Sequence, residues 1–314
     1  MLAHTHDLLE KAHRGKYAVG AFNINNLEML QGVVRGAEAA KAPVIVQTSE
    51  GAWDYAGMEE LGALVQVVAK KSKVPIAFNF DHGHDIEKVK RAIESGLYSS
   101  VMVDASHLSL EENMAVTQDV VKLAHKYKVT VEAELGRISG TEDYIVVKDR
   151  EVFFTDPEQA QLFVDNTKCD ALAISVGTAH GAFKFEGEPQ LAIDRIKAIA
   201  KVAKIPLVLH GASEVDHEMV KRLHKKCSIY GDCARLAGSQ GVPNAQIRKA
   251  IHAGIAKINV DTDLRIAFTA AVREKLMADH EVFDPRKILA PARDLMAEVV
   301  REKCELFGAK GKGK

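Results

Sequence analysis

The sequence contains few of the features that mark secreted, membrane-bound or nucleic-acid-binding proteins. It has 314 residues and only four cysteines, at positions Cys169, Cys227, Cys233 and Cys304. They form no CxxC pair and no framework typical of a disulfide-rich secreted domain, which indicates a reducing compartment. No apolar stretch approaches the ~20 residues that cross a bilayer, and residues 1–7 lack the basic and apolar regions of a secretory signal. We therefore expect a soluble cytoplasmic protein without a membrane partner.

An excess of charge of either sign is also absent. The 42 Lys and Arg residues nearly balance the 43 Asp and Glu residues, which leaves a net charge of −1. No overall field attracts nucleic acid or an anionic membrane, so an anionic ligand must be held by local groups. What is present is an ordinary globular composition, 47% hydrophobic and 27% charged, which can form a large core.

Short apolar runs alternate with helical patterns along nearly the whole chain. Eight runs are predicted as strands, at residues 17–22, 43–47, 76–80, 100–104, 129–134, 171–175, 206–210 and 256–259. Helix starts are indicated by capping patterns at Asp85, Ser109, Thr155 and Asp284. Strands that are short and apolar throughout favour a parallel sheet covered by helices. The expected fold is an α/β TIM (β/α)8 barrel, a single domain over residues 1–314 with additional C-terminal helices and a flexible tail at 308–314.

The distribution of polar side chains favours a closed barrel, because they cluster at the carboxyl ends of the predicted strands. These residues are Asn23, Ser49, Asp81, His82, Asp104, Glu134, His180, His210 and Asn259. In a β/α barrel such ends converge on one face, where active sites are built. In a doubly wound sheet they would spread along a line, and ligands from distant strands could not easily meet around a metal.

Three of the thirteen histidines, His82, His180 and His210, each follow a buried strand and precede a glycine. Three protein ligands with an open fourth position are typical of catalytic zinc, although cobalt, iron and manganese stay open. His84 is either a supporting group or a helix-start residue. Histidines on predicted helices or at the N-terminus are interpreted as structural.

The carboxylates near these histidines allow two interpretations each. Asp81 either orients a ligand histidine or acts as a general acid/base beside a bound substrate. Because neighbours on a strand point to opposite sides, Asp81 and His82 can share a site only if the strand ends there. Asp104 and Glu134 either form a second, looser cation site or are ion-paired. Glu142, in the long polar connection 136–154, is a solvated residue or a base delivered by a closing loop.

An anion site is predicted independently at the end of the barrel sequence. Residues 211–213 follow the seventh strand, and residues 257–265 contain the end of the eighth. The connections after these strands commonly bind phosphate through backbone N–H groups and a helix N-terminus. A metal, a phosphate site and acid/base groups together favour carbon-acid chemistry on a sugar phosphate. Hydrolysis stays open on these residues alone.

A series of short motifs extends over nearly the full length of the chain. They are Asn23-Ile-Asn-Asn, Gln47-Thr-Ser-Glu-Gly-Ala, Asp81-His-Gly, Glu132-Ala-Glu-Leu-Gly, Val176-Gly-Thr-Ala-His-Gly, Leu209-His-Gly-Ala-Ser, Asn259-Val-Asp-Thr-Asp-Leu-Arg and Phe283-Asp-Pro-Arg-Lys. In their content and order they resemble the class II, metal-dependent fructose-bisphosphate aldolases. The resemblance implies reversible cleavage of fructose 1,6-bisphosphate to dihydroxyacetone phosphate and glyceraldehyde 3-phosphate through a zinc-stabilised enediolate, in glycolysis and gluconeogenesis. It also implies a homodimer or homotetramer.

The same resemblance implies roles for individual residues. His82, His180 and His210 would bind the catalytic zinc. Asp81 would exchange the proton of the C4 hydroxyl, and Glu142 would handle the C3 proton of dihydroxyacetone phosphate. Asp104 and Glu134 match an alternative metal position, for a second divalent ion, and a monovalent cation (Na+ or K+) would lie near the phosphate. The expected substrate-binding residues are Asn23, Ser49, Gly181, Lys184, Gly211, Ser213, Asn259, Asp261, Thr262 and Arg265.

Within that set, three groups are assigned to different parts of the substrate. The C1 phosphate would be held by Gly181, Gly211, Ser213, Asp261 and Thr262. Asn259 would contact the dihydroxyacetone moiety, and Ser49 and Arg265 would lie near the C6 phosphate. Two departures from the family pattern stand out: Glu214 replaces a common glycine, and residues 227–241 are longer than in compact members.

Three alternatives remain beside this interpretation. A tagatose-bisphosphate aldolase differs only in stereochemistry at C4, which the sequence does not settle. A zinc-dependent barrel hydrolase would not need the stretch from Asn259 to Arg265. A non-enzymatic sugar-phosphate binding module would not need three histidines beside Asp81.

Overall fold

Eight parallel strands close into a barrel within the residues that this computed structural model describes. These are residues 2–136, 154–180, 190–212 and 241–313, with the backbone alone for 139–142, 145–147 and 179–180. The described residues contain eleven strands, eight in the barrel and three in a separate sheet. They are β1 (Val19–Asn23), β2 (Val44–Thr48), β3 (Ile76–Gly83), β4 (Ser100–Val103), β5 (Thr130–Leu135), β6 (Ser139–Glu142), β7 (Ile145–Val147), β8 (Ala171–Ile174), β9 (Ala179–His180), β10 (Leu207–Leu209) and β11 (Ile255–Val260). The barrel order is β1-β11-β10-β8-β5-β4-β3-β2. The predicted TIM barrel is confirmed.

Helices follow the barrel strands and cover their outer face. Those in the described residues are α1 (Thr5–Gly15), α2 (Leu27–Ala40), α3 (Glu50–Ala56), α4 (Met58–Lys71), α5 (Ile86–Glu94), α6 (Leu110–Lys126), α7 (Pro157–Thr167), α8 (Ile193–Ala203), α9 (Asn244–Ala253), α10 (Thr262–Ala278) and α11 (Pro285–Leu306). The barrel strands are buried along their whole length, as expected for a parallel sheet covered on its outside. Among the described residues, no helix is both long and apolar enough to cross a membrane.

Predicted strand boundaries agree with the structure to within two residues, except at the third strand. That strand, β3, continues to Gly83 because its backbone passes through an irregularity beside β4 instead of ending at Asp81. The polar connection after β5 is also more structured than expected, since β6 pairs with β7 and with β9 in a separate three-stranded sheet.

Three of the four predicted helix caps are confirmed. Asp85 and Asp284 accept hydrogen bonds from the first turns of α5 and α11, and Ser109 forms the full capping box of α6. The prediction at Thr155 is wrong by one residue. Its hydroxyl is already used, donating to Leu135 O and accepting from the N–H of Ser175, so the next residue, Asp156, caps α7.

The C-terminal tail, predicted to be flexible at 308–314, packs against the barrel over its described residues 308–313. Ala309 is fully buried. Gly311 N–H donates to Ala40 O at 3.0 Å, and Gly313 N–H donates to Lys41 O at 2.8 Å. These carbonyls are at the C-terminus of α2, where helix carbonyls lack partners within the helix. The tail supplies donors for them, so residues 308–313 are held in place.

Candidate active site at the carboxyl ends of the strands

A bulge at the end of β3 turns two adjacent side chains toward the barrel interior. Phe80 pairs with Val101 of β4, but the next paired residue is Gly83, opposite Val103, so three steps on β3 match two on β4. Within the bulge His82 has φ 46°, a left-handed conformation that is uncommon for a residue other than glycine. An extra residue of this kind re-aims side chains. Asp81 and His82 can therefore face one site, and both are buried.

Gly83 is required by how closely β4 approaches this bulge. A Cβ at this position would lie 2.7 Å from the carbonyl oxygen of Met102 and 2.4 Å from the Val89 side chain. The glycine in the Asp81-His-Gly motif thus permits the backbone geometry that presents the two preceding side chains.

Two imidazoles lie side by side at the barrel mouth. Each has one ring nitrogen facing the other ring and its second nitrogen, called the outer nitrogen below, against a carboxylate. His82 Nε2 lies 2.7 Å from His210 Nδ1, and the rings are nearly perpendicular. The other nitrogen of His82, Nδ1, is 3.0 Å from Asp104 Oδ2, and His210 Nε2 is 2.8 Å from Glu132 Oε1. Carboxylates that hold the outer nitrogen of ligand histidines are the usual support in metal sites.

The donor atoms fit a divalent metal ion. Ligand atoms of Asp81, His82 and His210 all lie within 4.8 Å of one another, and all three residues are buried. A cation bound by His82 Nε2 and His210 Nδ1 would replace the hydrogen bond that joins these two nitrogens. Imidazole nitrogens suit zinc, copper, iron and nickel rather than magnesium or calcium.

Burial and charge together set the protonation states of these groups. Burial raises the pKa of Asp104, but the hydrogen bond and positive charge of His82 outweigh this and hold the pKa well below its usual range. Burial also raises the pKa of Glu132. The charge of Lys257 and the hydrogen bond from His210 outweigh this and lower the pKa to about 2. Burial and the charge of His82 lower the pKa of His210. A neutral imidazole is the form that binds metal.

Asp81 is held by three carboxamides. Asn23 Nδ2 and Gln47 Nε2 donate to its Oδ2 at 2.9 and 3.0 Å, and Asn259 Nδ2 donates to its Oδ1 at 3.1 Å. Gln47 also donates to Asn23 Oδ1 at 2.8 Å. The carboxylate is therefore fixed in one orientation, while Oδ1, which accepts a single hydrogen bond, keeps a lone pair for a further proton or donor. Among the described residues Asn259 Oδ1 is buried without a hydrogen-bond partner, so it is placed to accept from a ligand.

Asp104 and Glu134, the two carboxylates predicted to bind a second cation, lie beside the outer nitrogen of His82. Asp104 bonds to His82 Nδ1, and Glu134 Oε2 is 3.9 Å from the same nitrogen. His84 is close to Asp104: its Nε2 is 3.7 Å from Asp104 Oδ2, and its Nδ1 is 3.1 Å from the Asp104 carbonyl oxygen. His82, His84 and Asp104 form a second group with metal-ligand spacing. The structure thus brings His84 into the site as a supporting neighbour.

The predicted phosphate residues lie at the ends of the last strands. Gly211 follows β10 with φ 60°, a conformation that glycine adopts without strain. Thr262 is the first residue of α10, whose exposed N–H groups and positive dipole end favour an anion. Asp261 precedes it and accepts from Arg265 Nε at 2.8 Å.

Ser49 and Arg265, both predicted near the C6 phosphate, line one open cavity of about 510 Å³. Tyr55 and Phe268 line the same cavity. Ser49 also caps α3, where its hydroxyl accepts from the N–H of Ala52 at 3.4 Å. The cavity combines a guanidinium, a hydroxyl and a helix N-terminus, which are groups that bind phosphate.

Several predicted site residues lie wholly or partly outside the described residues. For His180 and Glu142 the backbone alone is described: Gly140 of β6 pairs with His180 of β9, and Glu142 ends β6. The main chains that carry these two residues are therefore neighbours. Gly181, Lys184, Ser213, Glu214 and residues 227–240 are outside the described residues.

The sequence reasoning missed three buried polar residues of the barrel interior: Gln47, Glu132 and Lys257. Lys257 Nζ donates to Glu132 Oε2 at 2.6 Å, and Glu132 bonds to His210 in turn. Each interrupts an otherwise apolar strand sequence, as in Ile255-Ala-Lys-Ile-Asn-Val260. A polar or charged residue inside such a run was the signal that could have identified them.

Known proteins are similar to this chain in sequence and in fold. The family model for class II fructose-bisphosphate aldolase matches residues 3–312. A fructose-bisphosphate aldolase of Thermus caldophilus is 45% identical over 306 residues, with 98% of each chain covered. One of Helicobacter pylori (strain J99) is 41% identical over 313 residues, covering 99% of this chain and 100% of that protein. The crystal structure of the YdjI aldolase from Escherichia coli K12 superposes with a TM-score of 0.79 at 32% identity, with full coverage of both chains.

Proposed function

Because the chain belongs to the class II fructose-bisphosphate aldolase family, we propose that it reversibly cleaves fructose 1,6-bisphosphate into dihydroxyacetone phosphate and glyceraldehyde 3-phosphate. This is a step of glycolysis and gluconeogenesis. The observation that carries the proposal is the buried group of Asp81, His82 and His210, whose ligand atoms lie within 4.8 Å of one another. A protein that only bound a sugar phosphate would not need oriented imidazoles beside a buried carboxylate.

The proposed metal is zinc, held by His82, His180 and His210. Bound there, zinc would polarise the ketose carbonyl and stabilise the charge of the enediolate. The support for His82 and His210 is their orientation, since each has its outer nitrogen against a carboxylate and its inner nitrogen facing the other ring. Asp104 and Glu134 are proposed for a second divalent ion, and Na+ or K+ is proposed near the phosphate.

Asp81 is the proposed acid/base for the C4 hydroxyl. Breaking the C3–C4 bond requires removal of this hydroxyl proton as the aldehyde forms, and the reverse reaction returns it. Asn23, Gln47 and Asn259 hold the carboxylate in one orientation, which reduces the reorganisation needed for proton transfer. Asn259 Oδ1, which is buried without a hydrogen-bond partner among the described residues, is proposed to accept from a hydroxyl of the dihydroxyacetone portion. Glu142 is the proposed group that exchanges the C3 proton.

The two phosphates are proposed to bind at different positions of the barrel mouth. Gly211, Thr262 and the α10 N-terminus would hold the C1 phosphate, with Gly181, Ser213 and Asp261. The cavity lined by Ser49 and Arg265 would take the C6 phosphate. Asn23 and Lys184 complete the proposed substrate-binding set. The proposed assembly is a homodimer or homotetramer in the cytoplasm.

An assay with two substrates and a chelator tests the proposal. The purified protein is supplied with fructose 1,6-bisphosphate or tagatose 1,6-bisphosphate, and release of triose phosphate is followed before and after metal removal. We expect a higher kcat/KM for the fructose substrate, loss of activity on chelation and recovery on adding zinc. Full turnover by the metal-free protein would refute the metal-dependent mechanism. A preference for tagatose bisphosphate, or release of orthophosphate, would replace the proposed reaction with one of the alternatives.

A further inference from the structure

A chain of hydrogen bonds crosses the barrel interior below His210. Lys257 Nζ donates to Glu132 Oε2 at 2.6 Å, and Glu132 Oε1 is 2.8 Å from His210 Nε2. Lys257 comes from β11 and Glu132 from β5, and β10, which precedes His210, lies between these strands in the barrel order. Lys257 and His210 are 0% exposed and Glu132 is 3% exposed.

We propose that Glu132 and Lys257 are positioning residues, which hold His210 in the tautomer whose Nδ1 lone pair faces the metal position. This inference rests on the proposed function, because the metal is part of it. It assigns a role to two residues that the sequence did not single out. Neither residue is proposed to touch the substrate.

The first step is the protonation of each group. A lysine ammonium can only donate hydrogen bonds, so Glu132 Oε2 accepts from it. Opposite a buried ammonium, Glu132 is a carboxylate, and a carboxylate can only accept. The nitrogen of His210 next to Glu132 Oε1 must therefore carry the hydrogen. In a neutral imidazole this leaves the lone pair on Nδ1.

The second step concerns the other face of His210. Asn259 Nδ2 lies 3.4 Å from His210 Nδ1 and 3.1 Å from Asp81 Oδ1. Because a carboxylate oxygen accepts, the Asn259 atom facing it is the NH2 group, a donor. A donor also facing His210 Nδ1 agrees with a lone pair on that nitrogen. Both sides of the ring thus favour the same tautomer.

The third step concerns why both Glu132 and Lys257 are needed to fix the tautomer of His210. A buried ion pair contributes little net stability and can often be replaced by apolar side chains of similar volume. Glu132 alone would be an uncompensated charge in the barrel core and would become protonated, and a protonated carboxyl can donate to His210 Nε2 instead of accepting. Lys257 keeps the carboxylate ionised, so the direction of the hydrogen bond to His210 is fixed.

The variant that tests this is Glu132→Gln/Lys257→Met, which removes both charges together and nearly conserves volume. The amide can either donate to or accept from Nε2, so it no longer imposes one tautomer. We expect zinc affinity, measured by competition with a chelator, to fall about 10- to 100-fold, the range for loss of a residue that supports a metal ligand. We expect kcat at saturating zinc to change much less than the affinity.

The control is Phe163→Leu, a buried position on α7 outside the barrel interior. It should lower the thermal unfolding midpoint without changing zinc affinity. The proposal is wrong if the double variant and the control lose zinc affinity equally. It is also wrong if neither loses zinc affinity. In both cases Glu132 and Lys257 serve only the fold.

A measurement on the unaltered protein decides the point if the double variant does not fold. In 15N-labelled protein stripped of zinc, the two nitrogens of His210, assigned with a His210→Gln variant, should show hydrogen on Nε2 and a lone pair on Nδ1. Hydrogen on Nδ1 would overturn the proposal. This result does not depend on aldolase activity: a protein that failed to cleave any bisphosphate would refute the proposed function, whereas the tautomer would still decide the role of the pair.

Discussion

At the scale of single residues, the candidate site divides two tasks between neighbours in sequence. His82 has its outer nitrogen against Asp104, which suits a metal ligand. Asp81 instead receives hydrogen bonds from Asn23, Gln47 and Asn259, which suits a base. The bulge in β3 is what allows both to face one site.

Replacing each of these two neighbours should therefore have different effects. Asp81→Ala should retain zinc and lower kcat about 10²- to 10⁴-fold, the usual contribution of an acid/base. His82→Ala should lose both turnover and zinc, with affinity falling by more than about 100-fold, beyond the loss of a supporting residue. Bound metal and cleavage rate are measured for both variants. His125→Ala, on the exposed face of α6, is the control; equal zinc loss in the Asp81 and His82 variants would contradict the division of tasks.

Glu132 should make the metal-free protein sensitive to acid in a defined range. Its pKa falls from 4.5 to about 2 on folding, so between these values the unfolded chain binds more protons than the folded one. Its contribution to stability is complete above pH 4.5 and is lost as pH falls toward 2. The thermal unfolding midpoint of the unaltered protein should therefore fall relative to that of Glu132→Gln/Lys257→Met as pH is lowered from 5 to 3. Only the unaltered protein has this contribution to lose. A constant difference would mean that the pKa of this carboxyl is the same in the folded and the unfolded protein.

The sequence was sufficient to predict that Asp81, His82 and His210 lie close together, because each follows an apolar run of a predicted strand. It could not reveal the partner of each group. Whether Glu132 faces the interior or the helices depends on strand register, and whether Asp104 binds a cation or a histidine depends on side-chain placement. Both are tertiary properties, which no local pattern encodes.

At the scale of elements, the eight barrel strands were predictable because strands buried on both faces are apolar throughout. The bulge in β3 was not, since His82 adopts φ 46°, a conformation that is uncommon for any residue other than glycine. The small sheet of β6, β7 and β9 was missed because polar residues such as Ser139 and Thr141 read as a loop. Thr141 pairs with Val146 of the nearby β7, but Ser139 pairs with Ala179 of β9, far along the chain.

A buried ion pair holds the start of α10, the proposed C1-phosphate helix, against α11. Lys303 Nζ lies 2.9 Å from Asp263 Oδ2, and both residues are buried. Lys303→Met leaves a buried carboxylate without this charge partner, so we expect a loss of about 3–5 kcal/mol in the free energy of unfolding. Because Asp263 follows Thr262 directly, the KM for the bisphosphate should also rise.

The double variant Asp263→Asn/Lys303→Met separates the two effects of charge and packing. It should recover most of the lost stability, because no buried charge is left uncompensated. The half-exposed pair Lys275–Asp279 gives the control: Lys275→Met should cost about 0–1 kcal/mol. Urea unfolding measures all four proteins. A double variant as unstable as the single one would show that the charge pair is not the cause.

At the scale of the whole molecule, the two ends of the barrel have different tasks. The carboxyl ends of the strands carry the candidate site, as is general for this fold. The amino ends are closed by terminal segments: Thr5 of α1 donates to Ser100 Oγ at the start of β4, and Ala18 N–H, just before β1, donates to Phe307 O after α11. Changes at this closed end should affect stability and leave catalysis unchanged.

Deleting residues 308–314 tests that separation. The deletion removes the hydrogen bonds from Gly311 to Ala40 and from Gly313 to Lys41, together with the buried Ala309. At about 1 kcal/mol for each hydrogen bond, the thermal midpoint should fall by roughly a few degrees, while kcat and KM stay unchanged. Lys310→Ala/Lys312→Ala keeps the backbone bonds and removes basic side chains, so it should remain near the original midpoint. A deletion that lowered kcat at constant stability would instead connect the two ends of the barrel. An unaltered midpoint would mean that the tail contacts contribute nothing to stability.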